Sequence, residues 1–201
     1  MTDPRAAHQT SDEFARVLRE FAEVRHRSDI TLERIEAPSH LAPEAVAFSI
    51  EIDSAGRHVH SRASARFVML HNPDAPEAWD SPLRVIVFVK APLESDLGLD
   101  PFVASVVWSW LEDALHAHKT RFHAISGTVT KTINAGFGAL STQTDGTEIE
   151  LRASWSAEPG TPMLPHLLAW IDLVAEAASL PPVPGEISVL LPTIGAGLGA
   201  R

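Results

Sequence analysis

The sequence predicts an α+β fold: a single domain with an antiparallel sheet of five to six strands and helices mainly on one face, ordered α-β-β-β-α-β-β-α. Three observations predict it. Residues 99–118 place apolar side chains every three to four positions, the repeat of one helix face. Residues 124–133 and 147–155 alternate apolar with polar side chains, the period of a half-buried strand. Short turns join candidate strands that are neighbours in the chain, which pairs them antiparallel.

Residues 1–10 are polar and read as a disordered N-terminus. A first helix begins near Thr10, with Glu13 in capping-box spacing, and carries Phe14, Val17, Leu18, Phe21 and Val24 to about His26. Arg16, Arg19, Arg25, Arg27 and Arg34 alternate with Glu20, Glu23, Asp29 and Glu33, as on a solvated helix face. Pro38 and Pro43 break the connector 37–43. A strand follows over 45–53 (Val46, Phe48, Ile50, Ile52), then a turn and a second strand over 58–71. Pro73, Pro76 and Pro82 exclude a ladder from 72–82. The strand 83–91 is apolar at Val85, Val87 and Val89 and again at Ile86 and Phe88, which predicts a central strand covered on both sides.

For the second helix, Asp100 is the candidate N-cap and Pro101 the first helical residue. After the Gly-containing loop 134–146, strand five turns Ile149, Leu151, Ala153 and Trp155 inward and Glu148, Glu150, Arg152 and Ser154 outward. A third helix over 163–179 stops at Pro181, Pro182 and Pro184. The domain then spans 11–191, with a flexible tail at 192–201, and the pattern leaves open whether 185–191 complete the sheet.

With 201 residues and 45% apolar side chains, the chain can bury a core unaided. It has no cysteine, hence no disulfide framework, no thiolate metal site and no cysteine nucleophile. The N-terminus lacks the apolar segment of a signal peptide, and no apolar run reaches the roughly 20 residues that cross a bilayer. These features read as a soluble cytoplasmic protein without a membrane partner. A net charge of −10 with scattered cations disfavours nucleic acid, which would need Arg62, Arg66, Arg84 and Lys90 to merge into one basic surface.

The segments LHNPDAPEAWDSPLRVIVFVKA (70–91), VVWSWLEDAL (106–115), GTVTKTINAGFGAL (127–140), EIELRASW (148–155) and LLAWIDLVAEAASLPP (167–182) resemble an actinobacterial family known only as a domain of unknown function, number three thousand. The strand written RFVML departs from the glycine-rich start that members often carry. The resemblance implies a cytoplasmic protein of high-GC Gram-positive bacteria. It brings no activity, cofactor or catalytic residue. In topology alone, residues 10–180 are similar to the class I chaperones of type III secretion, acidic homodimers that bind other proteins.

No embedded motif carries chemistry, and no metal site or cofactor is expected. His58 and His60 share a strand face without a third ligand, and Glu112, Asp113 and His116 share a helix end without a partner pair. The loop 72–82 is the leading candidate, because long loops on compact domains often carry function. Its His71, Asp74 and Asp80 offer an imidazole beside carboxylates, and Trp79 an apolar lid. Trp108 is either peripheral core or part of an apolar site beside Trp79. Arg152 is the candidate anchor of a polar sheet face formed with Thr128, Thr130, Thr132, Glu148 and Glu150. The reading is a non-enzymatic adaptor or chaperone-like protein that binds protein and forms a homodimer. The alternative is a small-ligand binder or an enzyme with its site under the 72–82 loop.

Overall fold

The computed structural model describes residues 10–53, 62–93, 100–138, 146–181 and 188–189. In chain order these form α1 (Asp12–Ala22), β1 (Arg25–His26), β2 (Leu32–Ile35), β3 (Glu44–Asp53), β4 (Arg62–His71), β5 (Leu83–Leu93), α2 (Val103–Ala117), β6 (Phe122–Asn134), β7 (Gly146–Ala157), α3 (Leu164–Ala177) and β8 (Ser188–Val189). Six strands make one antiparallel sheet in the order β2-β3-β4-β5-β7-β6. The α+β class and the antiparallel pairing agree with the sequence reading.

Alternation along each strand separates the two faces. Ala65, Phe67, Met69, Val85, Val87, Val89, Leu151, Ala153 and Trp155 point to the helix side and are buried. There α3 packs over β4 and β5, α2 over β6 and β7, and α1 against α3. Phe21 meets Phe48 and Phe67 edge-on at 5.6 and 6.0 Å, and Phe67 meets Trp170 at 5.6 Å. Such contacts lock α1, α3 and the sheet into one core. Gly127 of β6 admits Trp108 of α2: a Cβ there would lie 2.8 Å from the indole and 2.3 Å from the Arg152 carbonyl oxygen.

Helix ends are satisfied locally and at a distance. Ser11, not Thr10, caps α1, its Oγ accepting from the Phe14 amide at 3.2 Å. The helix ends at Ala22, and the charged run beyond it forms β1 and β2 instead of a longer helix face. Asp100 does not cap α2; its carboxylate accepts from the Phe102 amide at 2.7 Å, and the helix starts at Val103. No side chain of its own caps α3, but Glu20 of α1 accepts from the Met163 and Leu164 amides at 2.7 and 3.3 Å.

One further expectation is corrected and one open question is answered. β5 is central but covered on one face only, since Arg84, Ile86, Phe88 and Lys90 are half-exposed on the other. Ser188–Val189 pair with Arg25–His26 in a separate two-stranded ribbon and do not join the main sheet. His58, His60, the termini 1–9 and 190–201 and the start of the second expected strand lie outside the described residues.

Candidate functional site

The open face of the sheet is ordered by register. One row across it reads Ala47, Val68, Ile86, Ser154 and Ser126. The next reads Ser49, Arg66, Phe88, Arg152 and Thr128, so two guanidinium residues flank one phenyl ring. Arg152 lies 5.7 Å from the Phe88 ring centroid, within cation–π range. It also pairs with Glu150 at 2.7 Å, and Lys90 pairs with Glu148 at 3.1 Å. Glu33 and Glu51 lie on the same face through their pairing with Ser49 and Ser64. Arg66, Arg84 and Lys90 thus share a face, but carboxylates interrupt it; the Arg62 side chain lies outside the described residues.

The loop between β4 and β5 folds over one end of this face. The Asn72 amide donates to the Pro82 carbonyl at 2.8 Å, closing the loop's neck. Buried Ser81 donates to the Ala157 carbonyl at 2.6 Å, and Ser156 Oγ donates to the Trp79 carbonyl. Ala75 and Asp80 adopt positive φ (45° and 51°), which tightens the turn against steric cost. Beneath Trp79 lies a shallow open groove of about 460 Å³ lined by Leu41, Leu70, Ala78, Trp79, Arg84, Ile86 and Ser154.

Arg84 is the groove's charged residue. Its guanidinium donates to Ser154 Oγ at 2.7 Å, to Ser156 Oγ at 3.0 Å and to the Ala124 carbonyl at 3.2 Å. All three acceptors are neutral, and no carboxylate among the described residues pairs with it. Burial therefore pulls its pKa below the ordinary arginine value with nothing to offset it. A fixed, partly desolvated cation beside an indole and an apolar floor suits an anionic group carried on an apolar body.

The sheet divides the residues singled out in the sequence. Trp79 lies at the groove, and Arg152 lies elsewhere on the same face. Asp74 is exposed, its amide bonded to Asn72 Oδ1 at 3.1 Å; the Asp80 side chain is also exposed, 3.9 Å from His123. Trp108 is on the opposite face over Gly127 and does not meet Trp79. His71 is on the helix face too, 1% exposed and stacked on Phe14. Its ring nitrogens face Glu44 at 2.7 Å and Glu13 at 3.3 Å, so Asp74 and Asp80 are not its partners.

Glu44 also accepts from the Ser11 amide at 2.7 Å and from Ser11 Oγ. Burial pushes its pKa up, but the Ser11 bonds and then His71 outweigh that and hold the carboxyl below its ordinary value. This Ser11–Glu44–His71–Glu13 cluster pins the start of α1 to the ends of β3 and β4. His118 bonds Asp172 of α3 at 2.6 Å, and His116 packs on Phe122. Among the described residues no three His, Asp or Glu side chains are grouped to hold a metal ion, and no helix is long and apolar enough to cross a membrane.

Sequence reasoning named Arg84 only within a conditional basic surface and Ile86 only as strand interior, and it did not single out Leu41 or Leu70. Ile86 and Phe88 carried a signal, since they make β5 apolar on the face that remains open.

The family model described as "Protein of unknown function (DUF3000)" matches residues 10–188. The chain belongs to that family. The match takes in the whole six-stranded sheet, all three described helices and the groove. No curated protein and no solved structure matches the chain.

Proposed function

We propose that this member of the family is a non-enzymatic cytoplasmic binding protein that receives an extended segment of another protein on the open face of its sheet. The segment places a carboxylate on Arg84 and an adjacent apolar side chain between Trp79, Leu70 and Ile86. The single observation that carries this reading is Arg84, half-buried and held by three neutral acceptors, with no carboxylate paired to it among the described residues. A partly desolvated cation without a carboxylate gains from a ligand that supplies one.

The groove's form favours a protein segment over a small molecule. Sites for small ligands enclose most of their occupant, whereas this groove is shallow and open. The enzymatic alternative needs a general base under the loop, and His71 lies across the sheet with its nitrogens engaged.

Selection of a random peptide display library against the purified protein tests the reading. Enriched peptides are expected to share an acidic residue or a free C-terminus beside Leu, Ile or Phe. Arg84→Ala and Trp79→Ala, checked for unchanged thermal melting, are expected to weaken them at least about tenfold, the loss of one charge-assisted contact. Absence of enrichment, or equal binding to Arg84→Ala, would refute it.

A further inference from the structure

The sheet has two edges, and they are built differently. β2 is four residues long and carries Glu33 and Arg34, the short charged form that discourages further pairing. β6 is 13 residues long, contains no proline and, among the described residues, has one partner strand, β7. It holds no acidic residue in a chain with 26, and its lone lysine turns its Nζ to the Asp100 carbonyl at 3.3 Å. The edge is regular from Ser126 to Asn134, its one register shift lying between His123 and Ser126. Ile133 is 65% exposed, and Ile125 and Val129 are half-exposed. A long edge without carboxylates, regular from Ser126 to Asn134, is an open template for another strand.

We infer that two copies of this chain pair along β6, antiparallel about a two-fold axis, joining their sheets into one of twelve strands. Self-pairing fits the side chains. Ser126, Thr128, Thr130 and Thr132 form one row and Ile125, Gly127, Val129, Lys131 and Ile133 the other, so a two-fold sets hydroxyls beside hydroxyls and the exposed isoleucines in one row. It also fits the charge. The rest of a chain at −10 repels its own copy, while this strip presents nothing negative. The regular stretch Ser126–Asn134 spans about 31 Å at ~3.4 Å per residue. With α2 lying over β6, the strip is roughly 18 Å deep, giving about 550 Å² per partner, which in total just clears the roughly 1,000 Å² of a specific interface.

Analytical ultracentrifugation from about 1 to about 100 μM, where interfaces of this size associate, is expected to find twice the 21.8 kDa chain mass. Thr130→Asp and Ile133→Asp alter exposed side chains, so folding, read by circular dichroism, is expected to persist. Dimer affinity is expected to fall roughly a hundredfold, because each variant places a carboxylate in a seam that otherwise holds none. Because the chain has no cysteine, Thr128→Cys, Thr130→Cys and Thr132→Cys can be oxidised singly. The variant nearest the axis is expected to crosslink almost fully and the others poorly. A monomer throughout, a dimer indifferent to both aspartates, or no crosslink from any cysteine would overturn the inference.

Discussion

The two faces of the sheet come from the same strands and differ residue by residue. On the helix face Val85, Val87, Val89, Leu151 and Trp155 are at most 1% exposed. On the other, Arg84, Ile86, Phe88, Lys90 and Ser154 are half-exposed, and Arg152 is exposed. A purely solvated face would need neither Ile86 nor Phe88, and a second core would not tolerate Arg66 and Arg152 beside them. The open face has the composition of a binding surface, with apolar floor and cations mixed. The difference teaches that alternate residues of the same strands build the core and, on the proposed reading, the recognition surface.

The largest break in that comparison is expected from the helix face. Trp155→Ala removes a fully buried indole and its hydrogen bond to His166 Nδ1 at 3.0 Å. A loss of about 4 kcal/mol is expected, read as a lower urea midpoint. A loss under about 1 kcal/mol would mean that this layer does not carry the stability.

The next effect is a pH dependence on the same face. His166 is fully buried and accepts from Trp155, which leaves the proton on Nε2, where no partner exists among the described residues. Burial lowers its pKa from 6.5 to about 4. Between those values the unfolded chain binds the proton and the folded chain does not, so stability falls as pH drops through that window. The full penalty is on the order of 3 kcal/mol. Glu44 acts lower: its carboxyl is held below the ordinary 4.5, so its contribution is present above that pH and lost as pH falls through the folded value. Urea midpoints at pH 7, 5.5 and 4.5 follow His166, and further points below pH 4.5 add the loss from Glu44. His166→Gln, which can still accept from Trp155 but does not titrate, is expected to flatten the upper window alone. An unchanged slope would show that His166 is not its source.

How much of this was legible in the sequence follows from the range of each interaction. The helices α2 and α3 and the faces of β7 were legible, because period and burial agree along one segment. β2 was not, since Glu33 and Arg34 interrupt its alternation and only pairing with β3 makes it a strand. The Ser11 cap lay one residue past the expected Thr10, because Glu13 turns to His71 from β4 instead of closing a capping box. At the site, Trp79 and Arg152 were legible as residue types on a loop and an outward row. The groove was not, because Leu41, Leu70 and Arg84 meet only through three-dimensional register. The split of His71 from Asp74 and Asp80 has the same origin: three residues along the chain were enough to cross the sheet.

The smallest effect on stability is expected to be the sharpest on recognition. Ile86→Ser lies on the open face, where the side chain is half-exposed and loses only part of its apolar contact. About 1 kcal/mol or less is expected from the urea midpoint. Its position on the groove floor beside Arg84 predicts at least a tenfold loss of the selected peptides. The neighbouring helix-face change Val87→Ser reverses the pattern, because Val87 is 1% exposed and its new hydroxyl is buried. It is expected to lower stability by more than about 2 kcal/mol while the remaining folded protein binds as before. Comparable losses of stability from the two substitutions would mean that the face is closed by packing and receives no partner.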